Sequence, residues 1–512
     1  MNKTKDIFLA ILSGILLTLS FSPFDLYFLA WFALVPLLLP LWRRKSSHAF
    51  IIGMIAGFVY FAATTYWVYN SMYYYGHLST LVSLFMTLLL SLYLALYVGA
   101  FATLFNFFSS RSRCPALLIV SFTWATLEFL RSYIFTGFPW SSLGYSQYKF
   151  LSLIQFADIT GIYGVSFLVA AFNGAIYDII YFIKKRREAP LLPPTYTIAG
   201  LLFLAVLTIG VFFYGHYQLK NDNPGEKVKV SIVQGNIRQD IKMDMAYQNM
   251  IFEKYVNLTN KVIKNSPSLI VWPEASFPYI FGADANNSQR LIDYQKSTDS
   301  FLLFGATLIK DKTESQYMLS NSAVLLDKKG EAIYSYDKIH LVPFGEYVPL
   351  KWLLPFIDKL VADVGDFVFG QEYTVARTPF GNLSTAICYE IIFPGLVRKF
   401  VNNGADIIVT ITNDAWFGRT SAPYQHFAMA VLRAIENRVP VVRSANTGIS
   451  GFIDAKGRIL KKTNIFVEAT LTDEITIKTF KKTFYTKYGD LFSFLCILIT
   501  FLCITHHLFS KK

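Results

Sequence analysis

The sequence predicts an α-helical membrane bundle joined to an α/β layered domain, and three observations carry that reading. The composition is 54% hydrophobic and 17% aromatic, with a mean hydropathy of +0.40, well above that of a soluble domain. Eight apolar stretches recur, at residues 7–22, 27–41, 50–69, 81–108, 116–130, 165–183, 197–214 and 491–509. Between the last two, the texture changes to short β-rich runs alternating with helical patterns.

A helix needs about 20 apolar residues to cross the hydrocarbon. The first, second and fifth stretches are short for that, and tilt or local thinning accommodates them. Threading the chain through all eight gathers basic residues on one side: Lys3 and Lys5, then Arg43, Arg44 and Lys45, then Arg111 and Arg113, then Lys184, Lys185, Arg186 and Arg187, and finally Lys511 and Lys512. By the positive-inside rule that side is the cytoplasm, which holds both termini. The opposite connections are nearly free of basic residues, Arg131 and Lys149 excepted, so residues 215–491 face outward. No convincing small-residue cleavage site follows the first stretch, which therefore reads as a retained anchor. Spanning helices in place of alternating barrel strands indicate an inner membrane. The net charge of +13 is then largely topological, with a share available to anionic headgroups, and needs no nucleic acid. The expected division is residues 1–220 for seven helices, 221–485 for an outward catalytic domain, and 486–512 for the last helix and tail.

In the outward part, strands are expected at 228–234, 269–272, 301–307, 322–326, 383–388, 407–412 and 441–444. Several are continuous β-branched or aromatic runs, as in strands buried on both faces. Helical patterns fit at 245–263, 288–298, 394–402 and 424–437, an order that argues for α/β layers. There is no Gly-rich phosphate loop, so no nucleotide or other cofactor is expected, nor any metal. Of four cysteines, Cys114, Cys496 and Cys503 lie in or beside apolar stretches, leaving Cys388 alone outside. That rules against a disulfide framework, although the commonest fate of a lone cysteine is to be a small buried hydrophobe.

Three outward residues follow apolar runs in unusual company: Glu274 in VWPEASFP (271–278), Lys338 in YDKIHLVPFGEYVP (336–349) and Cys388 in AICYEIIFP (386–394). Loops beyond buried strands are where α/β proteins place reactive groups. Singly, a helix-capping carboxylate, a solvated lysine and a core thiol explain them as well; jointly, a functional role is the better account. His340 and His426 allow a Cys and His arrangement on residue counts alone, without supporting context.

These segments resemble the Glu, Lys, Cys triad of the nitrilase or carbon–nitrogen hydrolase superfamily, and NDAWFG (413–418) is similar to a further signature of it. The stretch WATLEFLRSYIFTGFPWSSLGYSQ (124–147) resembles the corresponding part of the apolipoprotein N-acyltransferase family. The resemblance implies an αββα sandwich with Cys388 as nucleophile, Glu274 as general base and Lys338 as oxyanion stabiliser. It further implies supporting places for Glu346, Tyr389, Glu390 and, within NDAWFG, Trp416. The family has a tryptophan soon after the QGN of 234–236, where this chain has Met243. The implied donor is a phospholipid, phosphatidylethanolamine above all, and the implied acceptor a diacylglyceryl apolipoprotein at a bacterial inner membrane, with the catalytic domain periplasmic. Water as acceptor would make the chain a membrane-tethered amidase instead, and a transporter is disfavoured because intramembrane charges are few.

Two further expectations concern lipid. The apolar run PLKWLLPFI (349–357) reads as an arm at the headgroup level with Trp352 and Phe356, ordinary packing being the alternative. Glu128 and Arg131, three residues apart on one helix face, read as a structural ion pair or a headgroup contact.

Overall fold

The computed structural model describes residues 3–111, 114–185, 194–221, 225–242, 244–312, 317–347, 367–477 and 481–509. The chain divides into two compact units. One comprises Met1–Tyr69, Leu84–Asp222 and Tyr488–Lys512; the other comprises Asn70–Ser83 and Asn223–Lys487.

The first unit is helical. Among the described residues, five helices are long and apolar enough to cross a membrane: Ser46–Thr65, Thr80–Ser109, Ile162–Ile183, Thr195–Lys220 and Leu491–Phe509. The three stretches that are short in sequence are short here too. Lys3–Leu19 has 17 residues and Ala116–Arg131 has 16. The stretch at 27–41 departs from a single helix, dividing into the 3₁₀ turn Tyr27–Trp31 and the four-residue helix Val35–Leu38. Pro36 sits in the first turn of that helix, where its missing N–H costs nothing, and Pro40 disfavours its continuation.

Glu128 and Arg131 do not pair with one another; the segment that follows their helix serves both. Glu128 Oε1 accepts from the Trp124 indole N–H (2.8 Å) and the Leu143 N–H (2.6 Å). Arg131 donates to the carbonyls of Phe138 (3.1 Å) and Trp140 (2.6 Å) and to the Ser142 hydroxyl (3.1 Å). A chain that turns back on its helix end exposes unpaired peptide groups, and two charged side chains one turn apart satisfy them.

Among its described residues the second unit has twelve strands: β1 (Glu226–Gln234), β2 (Leu269–Val271), β3 (Phe301–Lys312), β4 (Tyr317–Leu326), β5 (Ala332–Asp337), β6 (Ala376–Thr378), β7 (Gly381–Ile387), β8 (Ile407–Thr412), β9 (Val441–Ala445), β10 (Gly451–Ile453), β11 (Ile459–Lys462) and β12 (Ala469–Ile477). They form two six-stranded sheets, ordered β12-β1-β2-β3-β4-β5 and β11-β10-β9-β8-β7-β6. Each sheet has a parallel centre, β1-β2-β3 in one and β7-β8-β9 in the other, with antiparallel edges. The inner faces meet where the Ser444 hydroxyl of β9 reaches the carbonyls of Val233 (3.3 Å) and Val271 (3.2 Å).

Outside the first sheet lie helices Gln248–Ile263 and Ala285–Lys296. Their Ile251, Phe252, Tyr255, Leu258, Val262 and Leu291 join Ile270, Trp272, Leu302 and Phe304 in one buried cluster. Helices Pro394–Asn402 and Ala422–Asn437 belong to the second sheet. The result is the αββα sandwich, in which β8 is buried at all six positions, as its unbroken apolar and Thr sequence requires.

Candidate functional site

Because β2, β5 and β7 all end at one edge of the sandwich, the residues that follow them meet. Glu274 follows β2, Lys338 follows β5 directly and Cys388 follows β7 directly. They are 6%, 1% and 6% exposed, which excludes a solvated lysine and a surface cap. The turn carrying Glu274 lies so close to β3 that a Cβ on Gly305 would come within 2.4 Å of the Ala275 nitrogen and 2.7 Å of Glu274 Cα. Glycine is required there.

Glu274 is bound on both oxygens. Oε1 accepts from Asn321 Nδ2 (2.8 Å) and lies 3.4 Å from Lys338 Nζ, while Oε2 accepts from the Asn413 N–H (2.8 Å). The Cys388 thiol and this carboxylate act on each other electrostatically. Burial pushes the Glu274 carboxyl upward, but Lys338, Asn321, Lys242 and Cys388 outweigh it and hold the group below the usual carboxylate range. Lys338 Nζ donates to Glu346 at 2.9 Å. Burial works against its charge, yet Glu346 and Glu274 raise its pKa above that of a free lysine. Asn321 Nδ2 also donates to Glu346 Oε1 (2.8 Å), so one amide bridges both glutamates. Glu346 Oε2 accepts from the Val342 N–H (2.8 Å), which fixes the loop after Lys338.

Cys388 adopts φ +54° at the start of the 3₁₀ turn Cys388–Ile392. A left-handed non-glycine residue is strained and persists only where its surroundings over-determine it. Glu390 supplies much of that determination. Its Oε1 accepts from the Tyr336 hydroxyl (2.7 Å) and the Ile339 (2.7 Å) and His340 (3.0 Å) N–H groups, and its Oε2 from the Ile387 N–H (2.7 Å). One carboxylate thus clamps the lysine loop to the cysteine turn. Tyr389 packs against His340 and Phe393, at 5.7 and 5.2 Å between ring centroids. Burial and the Glu274 charge push the Cys388 thiol up to about 12, with Lys338 opposing them. The resting sulfur is a thiol.

Beneath the cysteine, Asp414, His426 and Arg443 form a buried network. Asp414 accepts from Arg443 (2.9 Å), and His426 Nε2 lies 3.1 Å from the Cys388 carbonyl. Burial and Arg443 lower the His426 pKa. Its Nδ1 lies 3.0 Å from Asp414 Oδ1 and 2.9 Å from Arg443 Nη2, which ties the ring to both partners, while Nε2 faces the Cys388 carbonyl. His426 therefore supports the turn through its main chain. His340 lies against Phe393 at 3.8 Å, and burial with the Lys338 charge lowers its pKa to about 4. Neither histidine is placed as a base for the thiol. Trp416 is 37% exposed, its ring 5.7 Å from that of Tyr75 and its carbonyl accepting from Ser71. Met243, Trp352 and the expected arm at 349–357 lie outside the described residues.

The structure adds Asn321, Asn413 and Lys242 to the site. Asn321 stands one residue before the apolar run 322–326, and Asn413 opens NDAWFG; both carried a visible signal in their position. Lys242 carried none, being one polar residue in a polar run.

A buried thiol, a bound carboxylate and a lysine at strand ends of a double-sheet sandwich are the equipment of a cysteine-dependent acyl-transfer enzyme. Residues 229–485 match the carbon–nitrogen hydrolase family, and residues 13–175 match the apolipoprotein N-acyltransferase N-terminal domain. The chain is 42% identical over 497 residues to apolipoprotein N-acyltransferase of Geobacter metallireducens, covering 96% of this chain and 93% of that one. To the same enzyme of Rickettsia prowazekii it is 33% identical over 527 residues, covering 100% and 99%. Saccharomyces cerevisiae Nit3, of the nitrilase superfamily, is 19% identical with a TM-score of 0.39 over 49% of this chain and 90% of its own. This chain belongs to the apolipoprotein N-acyltransferase family, and it is a membrane-associated acyltransferase.

Proposed function

We propose that the chain transfers a fatty acyl group from a phospholipid, phosphatidylethanolamine above all, through a Cys388 thioester to the N-terminal amine of a diacylglyceryl-cysteine lipoprotein. The observation that carries this reading is the convergence of the Cys388 thiol, the ionised Glu274 and the Lys338 ammonium in one buried cluster. Both full-length relatives carry the name of that activity.

In the first half-reaction Cys388 Sγ attacks the ester carbonyl as its proton passes to Glu274. Proton transfer accompanies attack, because burial makes a free thiolate unfavourable. Negative charge on the carbonyl oxygen falls to Lys338. Collapse expels the lysophospholipid, whose oxygen takes the proton back from Glu274, and the thioester remains. In the second half-reaction the amine attacks the thioester, Glu274 takes the amine proton and passes it to the departing Cys388 sulfur, and the amide forms. Glu346 and Asn321 hold Lys338 and Glu274 in register throughout.

The eight-helix arrangement, with residues 1–220 and 486–512 around a periplasmic domain at 221–485, belongs to the same proposal. It is supported by the basic residues gathered at alternate connections. It is supported too by the Asn70–Ser83 connection, which belongs to the same compact unit as Asn223–Lys487 and whose Ser71 hydroxyl donates to the Trp416 carbonyl at 2.8 Å.

The test is intact mass spectrometry of the full chain after incubation with phosphatidylethanolamine and no acceptor. The expected result is a mass gain of one acyl chain, absent in Cys388→Ala and discharged by a diacylglyceryl peptide with a free amine. Discharge by water as fast as by peptide would replace the acyltransferase reading with the amidase one for this site.

A further inference from the structure

The triad and its second glutamate do not balance. Glu274 and Glu346 share the single Lys338 ammonium, with Glu390 facing it from the turn after β7, so acidic groups outnumber the cation in a cluster that is buried but for the partly exposed Glu346. Lys338 lies 2.9 Å from Glu346 and 3.4 Å from Glu274, so it is shared unequally, and the glutamate that must act as base receives the smaller part. An uncompensated buried carboxylate ordinarily takes up a proton, which would disable a base.

Lys242 ends the short helix Gln239–Lys242 and is 5% exposed. Its hydrogen bond among the described residues runs from Nζ to the Glu274 main-chain carbonyl, at 2.8 Å. The charged and titratable groups that face it are Glu274 from the turn after β2 and Cys388 from the turn after β7. Lys338 and Glu346 stand beyond Glu274. Asp240 of its own helix is turned to Arg238, in an exposed pair. Among the described residues, nothing else in its surroundings calls for a buried ammonium.

We propose that Lys242 is a second cation of this site: a positioning residue that holds the Glu274 turn by its carbonyl and, by adding a positive charge beside it, keeps the Glu274 carboxylate ionised as the base. Burial lowers the Lys242 pKa to about 8, partly offset by Glu274 and Cys388. Its charge is therefore present across the whole acid limb of a pH–rate profile and is lost only as pH rises through about 8. Glu274 needs that charge at the low-pH end, where it would otherwise begin to protonate.

The inference rests on the Cys388 thioester reading, and one experiment separates the two. Thioester formation on phosphatidylethanolamine is followed by intact mass as a function of pH for wild type, Lys242→Gln, Lys242→Met and Lys242→Arg, all as the full chain. Glutamine removes the charge while retaining a donor for the Glu274 carbonyl, and methionine removes both. The acid limb should move up by about one pH unit in Lys242→Gln and Lys242→Met. It should stay in place in Lys242→Arg, and KM for phospholipid should be unchanged. An acid limb at the wild-type pH in whichever neutral variant folds overturns the role of Lys242. An absent adduct in wild type overturns the thioester reading instead.

Discussion

In the helical unit, Glu128 and Arg131 stand one turn apart on a single helix and are bound by the segment that follows it, residues 138–143. In the catalytic unit, Glu274 after β2, Asn321 within β4, and Lys338 and Glu346 in the loop after β5 are bound to one another. The first arrangement ties a chain reversal to its helix and uses mostly main-chain partners, with the Trp124 indole and the Ser142 hydroxyl beside them. The second requires specific side chains as partners, and so its loss is felt in chemistry before it is felt in folding. Buried charge alone does not mark a functional site; what distinguishes the two clusters is whether the charges answer the local backbone or each other.

Three substitutions test this contrast. Lys338→Met removes the proposed oxyanion cation from the second cluster, and turnover should fall by about 10²–10³-fold, the ~2.7–4 kcal/mol of a lost oxyanion donor. Thermal unfolding should still show a folded catalytic unit; an unfolded protein would mean that the cluster is structural. Arg131→Ala should act in the opposite sense. Leaving two carbonyls and a hydroxyl without their charged donor should cost about 3 kcal/mol of stability, read as a lowered unfolding temperature in lipid, with the folded fraction turning over normally. A specific loss of turnover with unchanged stability would move Arg131 into the functional class. The smallest effect is expected of Asn321→Ala, which removes the bridge between the two glutamates but neither reacting group; about tenfold in turnover is the scale of one buried hydrogen-bonding side chain. No change in kcat would show that Lys338 alone keeps the glutamates in register.

The pH dependence of the catalytic cluster follows from its shifts. Glu274 is depressed, so its ionised form is present above its folded pKa and is lost as pH falls through it. The acid limb of turnover should consequently lie below the ordinary glutamate range in wild type, and the Lys242 variants displace that limb.

The strongest strands were legible because their sequences are buried on both faces: 407–412 as an apolar and Thr run is β8 to the residue, and 394–402 as a helix opening with proline is likewise observed in full. The edge strands β5, β6, β11 and β12 were not anticipated, nor was the three-residue β10 between β11 and β9. In β11, three of four residues are exposed, and β5 and β12 mix exposed and buried positions. Such strands carry little apolar signal because their pairing partners, not their own composition, hold them. In the helical unit the same reasoning marked the short stretches, and the two prolines of 27–41 explain why one of them is not a single helix.

By itself the sequence determined the helical and layered halves of the chain, the lone cysteine between the apolar stretches, and the three segments that carry Glu274, Lys338 and Cys388. These depend on local composition and period, which a chain displays wherever it is folded. Only the tertiary structure decided which polar residues bind which. Glu390 became a clamp between two loops, Asn321 a bridge between two glutamates and Lys242 a buried partner of Glu274, because strands distant in sequence end at one edge of the sandwich. A hydrogen bond depends on distances of a few tenths of an ångström between groups far apart in the chain, and no spacing along the sequence encodes that.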